Sequence, residues 1–240
     1  MYKMKIFCLP YAGGSASIYR KWQSTIHPLI EWVPLELAGR GSRLNEAPYE
    51  IFQDCINEVY DKIIQHGLNM PYALLGHSMG ASIAFEVAQK LVRHAQRLPM
   101  HLFISGRRAP QSVRPVKKMH LLSEDEFIAE LRLLGGTADE LFADCDLLAL
   151  FLPIIRADYR MLATYLFQAP PRPIDVAFTI LNGKSDDLFP EEITGWQALS
   201  MRKCEYRFFD GGHFFIDQHY KEISRYLNSV MLSTGSAGEK

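Results

Sequence analysis

The chain has no apolar run that approaches the ~20 residues needed to cross a bilayer, which excludes a membrane-spanning helix. Its four cysteines, Cys8, Cys55, Cys145 and Cys204, are scattered and form no C-x-x-C pair. Neither a zinc site nor a disulfide framework is indicated, and a reducing cytoplasm is the natural compartment. Cys8 and Cys204 fall in strand-like runs and read as small core residues. The chain also lacks a strong excess of positive charge. Its 26 Lys and Arg stand against 27 Asp and Glu, leaving a net charge of −1, which argues against general nucleic-acid binding. There is no internal repeat. The N-terminal "KMKIFCLPYAGGSAS" mimics a signal peptide, but its apolar stretch is short and broken by Pro10.

What remains is an ordinary globular composition, 48% hydrophobic and 22% charged over 240 residues, enough for one large α/β domain with a sizeable core. Strand-like runs occur at "KIFCLP" (5–10), "WVPLEL" (32–37), "YALL" (72–75), "MHLFIS" (100–105), "VAFTIL" (176–181) and "CEYRFF" (204–209). Helical periodicity lies between most of them, at 50–66, 79–94 and 214–229. Alternation of this kind predicts a mostly parallel sheet covered by helices on both faces.

The interval between the fourth and fifth of these runs breaks the rhythm. "SEDEFIAELRLL" (123–134) opens with a capping box, Ser123 and Glu126, and Gly135-Gly136 stops the helix. A second helical stretch, 145–168, contains Pro153, which is expected to bend or divide it. We read 115–168 as a helical lid insertion over the C-terminal edge of the sheet, where open α/β sheets bind ligands. Residues 1–114 and 169–232 are then the core and 233–240 a disordered tail. Ordinary crossover helices are the plainer alternative.

The stretch "LLGHSMGASIAF" (74–85) places Gly76 and Gly80 either side of Ser78, between an apolar run and a helical pattern. G-x-S-x-G in a strand–turn–helix context is a nucleophile elbow, which holds the serine on a sharp, strained turn. Such a serine needs a base and an acid, in the chain order Ser, Asp or Glu, His. His213 in "FFDGGHFF" and Asp186 in "ILNGKSDDLF" each lie just past a strand-like run, in that order. Asp187 is the adjacent competitor for the acid. One oxyanion donor is expected from the N–H of Met79, the residue after the nucleophile, and one from the glycine loop in "LPYAGGSAS". That loop has neither a P-loop lysine nor G-x-G-x-x-G spacing, so it is not read as a phosphate grip.

Seven motifs together, "LPYAGGSASIYRKW", "ELAGRGSR", "LLGHSMGASIAFEVA", "SGRRAP", "LLSEDEFIAELRLLGG", "FLPIIRADYR" and "DGGHFFI", resemble the type II thioesterases of nonribosomal peptide and polyketide assembly lines. The resemblance runs from residue 5 to about 220. It implies an α/β-hydrolase fold with a helical lid and an editing role, removing stalled acyl groups from phosphopantetheine arms of acyl- or peptidyl-carrier proteins. It implies Ser78 as nucleophile, His213 as base, Asp186 as its orienter, and the Ala12 and Met79 N–H groups as oxyanion hole. No cofactor or metal is implied, since the phosphopantetheine belongs to the substrate, and a monomer is expected. Where the family reads P-G-R-G, this chain has Ala38-Gly39-Arg40-Gly41, which puts the local loop geometry in doubt.

Two further expectations concern the surroundings. Leu131, Leu134, Leu147, Leu148, Phe151, Ile154 and Ile155 supply apolar surface that either lines an acyl channel or packs the lid's own core. "RRAPQSVRPVKK" (107–118) holds Arg107, Arg108, Arg114, Lys117 and Lys118 with no acidic residue. It reads either as a rim that docks an acidic carrier protein or as a solvated loop. Rival functions are an esterase, lipase or peptidase with the same triad, a non-catalytic docking protein on the same fold, and acyl transfer in place of hydrolysis.

Overall fold

A computed structural model of the chain describes residues 3–112, 114, 117–135, 144–167 and 172–235. Six strands form one sheet: β1 (Met4–Leu9), β2 (Ile30–Pro34), β3 (Tyr72–His77), β4 (His101–Ser105), β5 (Ala177–Gly183) and β6 (Glu205–Phe209). Their order is β2-β1-β3-β4-β5-β6, and all five pairings are parallel. The α-helices are α1 (Phe52–Gln65), α2 (Met79–Arg93), α3 (Glu124–Leu134), α4 (Cys145–Ala163), α5 (Pro190–Thr194), α6 (Phe215–Gln218) and α7 (Tyr220–Gly235).

The two-residue period of a strand decides how the layers assemble. Along β1, Phe7 and Leu9 join the core under α1 and α2, while Ile6 and Cys8 join the opposite core under α7 and the 3₁₀ segment Ala16–Thr25. The same split separates Leu74 from Ala73 and Leu75 on β3, and Leu102 from Phe103 on β4. Both faces are therefore dry, and the central strands read as continuous apolar runs. Trp22 of the 3₁₀ segment stacks on Trp32 of β2 with ring centroids 5.6 Å apart.

Strand order reverses between β1 and β3, so the chain leaves these neighbours toward opposite faces of the sheet. The crevice between their C-terminal ends is the place where such sheets accept ligands. The loop after β1 and the turn after β3 meet there.

Four expectations are corrected. β2 spans Ile30–Pro34 in place of 32–37, because its register runs from Met4↔Ile30 to Cys8↔Pro34. Leu35 and Leu37 are buried side chains beyond the strand's end. Pro153 does not divide α4, which is one helix from Cys145 to Ala163. The missing N–H costs about 3 kcal/mol in a helix interior, and burial of Leu152, Ile154, Ile155 and Met161 offsets it. The last helical stretch is split into α6 and α7, and α7 continues through residues 233–235 of the expected tail. Buried Met231 and the Ser233 Oγ bond to the Val230 carbonyl sit in its final turns. Gly136, residues 115, 116 and 168 of the expected insertion, and 236–240 of the expected tail lie outside the described residues.

His101 lies inside the sheet, its Nε2 2.8 Å from Thr179 Oγ1 and its ring stacked on Phe103. Burial pushes its pKa down to about 4. An unfolded histidine titrates near 6.5, so the unfolded chain takes up this proton first as the medium acidifies. Stability is full above about pH 6.5 and is lost as pH falls toward 4, by about 3 kcal/mol at most. Thermal melts across that window should show a shallower acid decline for His101→Gln than for the wild type. Parallel declines would remove His101 as the cause.

Candidate active site

Ser78 joins β3 to α2 with φ 54° and ψ −112°, one of two non-glycine residues with positive φ among the described residues. For a residue with a Cβ this conformation is strained, and the neighbours hold it there. The Ser78 N–H donates to the Ser105 carbonyl at 2.8 Å, pinning the turn to β4. A Cβ at Gly76 would strike the Gly80 carbonyl, and one at Gly80 would strike the Leu9 carbonyl at the end of β1. The two glycines thus let strand, helix and the β1 loop pack backbone to backbone.

That packing brings the Ala12 and Met79 N–H groups into adjoining loops. Leu9 pairs with Gly76, so residues 10–12 run on beside 77–79. Met79 is the first residue of α2, where an N–H has no intrahelical acceptor. Neither N–H donates to any group among the described residues. Both remain available to a substrate oxygen.

The other two members come from the ends of β5 and β6. A Cβ at Gly183 would fall on the Gly212 carbonyl, so only glycine lets these two loops close on each other. Ser185 N–H donates to the Gly211 carbonyl at 2.9 Å and Lys184 N–H to the Phe209 carbonyl at 2.8 Å. Laced together in this way, His213 Nδ1 lies 3.0 and 3.2 Å from the two oxygens of Asp186. Asp187 points outward, exposed, and pairs with Arg114. Of the two aspartates, Asp186 is the one that touches His213.

The structure sets His213 beside the elbow. Its ring centroid is 5.1 Å from that of His77, the residue before Ser78. Ser78 Oγ itself makes no hydrogen bond among the described residues; such contacts are often long before substrate arrives. His77 is fully buried, its Nδ1 2.9 Å from Ser105 Oγ. Burial first, and the neighbouring His213 second, hold its pKa well below the ordinary histidine range. A neutral His77 therefore adds no charge beside the His213 ring.

The apolar residues expected at an acyl channel divide. Leu131 and Ile155 pack with Phe127, Leu152 and Met119 into a small core shared by α3 and α4. Leu148 is partly buried against it, and Ile154 is also buried. Leu134, Leu147 and Phe151 are exposed. Ile155 reaches further: a Cβ on Gly13 would lie 2.5 Å from its Cγ1, which seats α4 directly on the glycine loop.

The basic segment is less free than its sequence suggests. Arg108 pairs with Glu192, Arg114 with Asp187 and Glu192, and Lys117 with Glu130. Arg107 turns inward beside Tyr159 and Tyr165, where burial lowers its pKa. Lys118 is exposed and forms no ion pair among the described residues.

Sequence reasoning missed a buried ion pair on the opposite side of the site. Arg40 and Asp158 are each 2% exposed and meet in a bidentate bridge, Nη1–Oδ2 at 2.5 Å and Nη2–Oδ1 at 2.6 Å. Asp158 Oδ2 also accepts the Gly13 N–H at 2.7 Å. The Ala38-Gly39-Arg40-Gly41 loop therefore serves to bury Arg40, whose Nε donates to the Ala38 carbonyl at 3.3 Å. A charge in register with Ile154, Ile155 and Met161 on α4's buried stripe was the signal in the sequence.

Comparison with known proteins places this geometry. A family model described as a thioesterase domain matches residues 4–230. The gramicidin S biosynthesis protein GrsT of Aneurinibacillus migulanus is 34% identical over 226 residues, covering 94% of this chain and 88% of that protein. Thioesterase PikA5 of Streptomyces venezuelae is 34% identical, covering 98% and 83%. Among solved structures, ClbQ from the colibactin NRPS/PKS pathway superposes with a TM-score of 0.92 at 33% identity, covering 98% of this chain and 99% of that one.

The Asp186 assignment yields a direct test. Only a carboxylate on His213 Nδ1 can hold the ring's tautomer, and its amide replacement typically lowers kcat about 10⁴-fold. Asp186→Asn should lose thioester hydrolysis on that scale. Asp187→Asn, which removes only an exposed ion pair, should stay within about twofold. Steady-state kinetics of the two variants decides, and the reverse order would overturn the assignment.

Proposed function

The chain belongs to the thioesterase domain family, and from that premise we propose that it hydrolyses acyl thioesters on the phosphopantetheine arms of carrier proteins, as an editing enzyme of a nonribosomal peptide or polyketide assembly line. The observation that carries this reading is the strained Ser78 elbow facing a ready-made His213–Asp186 pair. Relatives matched along nearly their whole length support it, several being named for such pathways.

The chemistry follows from the residues. His213 takes the Ser78 proton while Asp186 fixes the tautomer and stabilises the imidazolium. The alkoxide attacks the thioester carbonyl, and the Ala12 and Met79 N–H groups receive the developing oxyanion. The C–S bond breaks, and His213 returns the proton to a thiol of pKa about 8.5, a better leaving group than an amine or alkoxide. Water, deprotonated by His213, then attacks the acyl-serine and releases the acid. No cofactor enters. Helices α3 and α4 act as a lid over this cleft, with Leu134, Leu147 and Phe151 offering apolar surface to an acyl chain.

Carrier docking falls to the outer edge of the 107–118 segment. The Arg114–Asp187 and Lys117–Glu130 pairs are solvent-exposed and worth at most about 1 kcal/mol each, while Arg114 is also held by the buried Glu192. An acidic partner can exchange with Asp187 and Glu130 at little cost, and Lys118 is open to it already.

A panel of carrier proteins loaded with different acyl groups, scored by intact mass, tests the activity. The wild type should deacylate them and Ser78→Ala should not. Matched esters hydrolysed faster than thioesters would instead favour a general esterase. For docking, the triple reversal Arg114→Glu, Lys117→Glu and Lys118→Glu should raise KM for acyl-carriers several-fold in a salt-sensitive way. Acyl N-acetylcysteamine thioesters, which carry no acidic surface, should be turned over as before. Equal losses on both substrates would mean that the segment shapes the lid and docks nothing.

A further inference from the structure

The loop after β1 is a four-residue turn. Gly14 N–H donates to the Tyr11 carbonyl at 2.9 Å, and Gly13, third in the turn, has φ +79°. A positive φ at that place belongs to the type II turn, whose central peptide is flipped relative to type I. Here the central peptide joins Ala12 to Gly13, and its N–H is the one that Asp158 accepts. The Ala12 N–H belongs to the preceding peptide, so it sits where the turn anchored through the Gly13 N–H places it.

Arg40 and Asp158 clamp the turn from both sides. The carboxylate holds the Gly13 N–H, while Arg40 Nη1 also reaches the Gly14 carbonyl at 3.4 Å. The bidentate bridge fixes the carboxylate plane, and Ile155, one helical turn earlier on α4, packs against Gly13. None of these side chains hydrogen-bonds to Ser78, His213 or Asp186 among the described residues; what they hold is the backbone of the turn.

We propose that Asp158, locked by Arg40, is a positioning residue that anchors the Tyr11–Gly14 turn in the place that aims the Ala12 N–H at the substrate's oxygen. The oxyanion hole of the enzyme is thus completed by a carboxylate on helix α4. This inference rests on the serine-hydrolase reading above and on Ala12 as an oxyanion donor.

Removing one charge alone strands the other in a dry site, which threatens the fold. The first variant is therefore the double replacement Arg40→Met with Asp158→Leu, apolar residues of similar bulk, which removes the acceptor for Gly13 without leaving an unpaired charge. The second is Arg40→Gln with Asp158→Val, which likewise leaves neither an unpaired charge nor an acceptor for the Gly13 N–H, and covers the case in which the first does not fold. Rates are taken on a small acyl N-acetylcysteamine thioester and expressed per serine titrated to completion by a fluorophosphonate, so unfolded protein does not count. A misaimed oxyanion donor should lower kcat roughly 10²–10³-fold with KM within about threefold. Affinity for an acyl trifluoromethyl ketone, whose hemiketal oxyanion occupies the hole, should fall in parallel. A purely structural pair would lower the melting temperature while kcat per titrated serine and ketone affinity stay at wild-type values. That result in either folded variant overturns the proposal. Absence of fluorophosphonate labelling in the wild type would instead sink the serine-hydrolase reading beneath it.

Discussion

A left-handed serine between a buried strand and a buried helix is the constraint on which this site depends. Residues with a Cβ resist that conformation, so it persists only where the surroundings over-determine it. Here Gly76, Gly80 and the end of β1 touch backbone to backbone, and the Ser78 N–H is tied to β4. The same contacts bring the β1 loop beside the start of α2, so on the proposed reading the arrangement that strains Ser78 would also assemble the donors for the oxyanion. Strain and preorganisation are one structural fact.

Electrostatics divides the site into a rigid half and a responsive half. His213 and Asp186 sit on loops joined by backbone hydrogen bonds, and the imidazole is only half-buried, open to proton exchange. On the other side, Arg40 and Asp158 are dry and saturated with hydrogen bonds. A buried ion pair is weak evidence for stability, because desolvating both charges offsets most of their attraction. Such a pair makes better sense as a device that fixes geometry, and the geometry it fixes here belongs to the glycine turn.

Much of this was legible in the sequence, for reasons that particular residues make clear. The elbow could be read because its glycines are demanded by local sterics at fixed spacing. His213 and Asp186 could be read because they follow strands whose order sets which edge they reach. Asp187 stands beside Asp186 as a competitor that local sequence does not remove; in the fold Arg114, distant in sequence, draws Asp187 outward. β2 was misplaced because Leu35 and Leu37 are apolar for burial and not for pairing. The Arg40–Asp158 bridge spans 118 positions; Asp158's place on α4's buried stripe marks a buried charge but not which residue meets it. Periodicity reports which face is buried; it is silent about which buried charges meet.

Helix α4 has two duties on the proposed reading. As a lid it would cover the cleft, and through Ile155 and Asp158 it also grips the turn after β1. If α4 swings away to admit an acyl chain, the carboxylate leaves Gly13 and the turn loses what holds it in place. Full catalytic geometry would then be restored only when the helix settles back over a bound substrate. In the proposed editing role, a site completed only on closure would favour acyl groups that remain long enough for the helix to return.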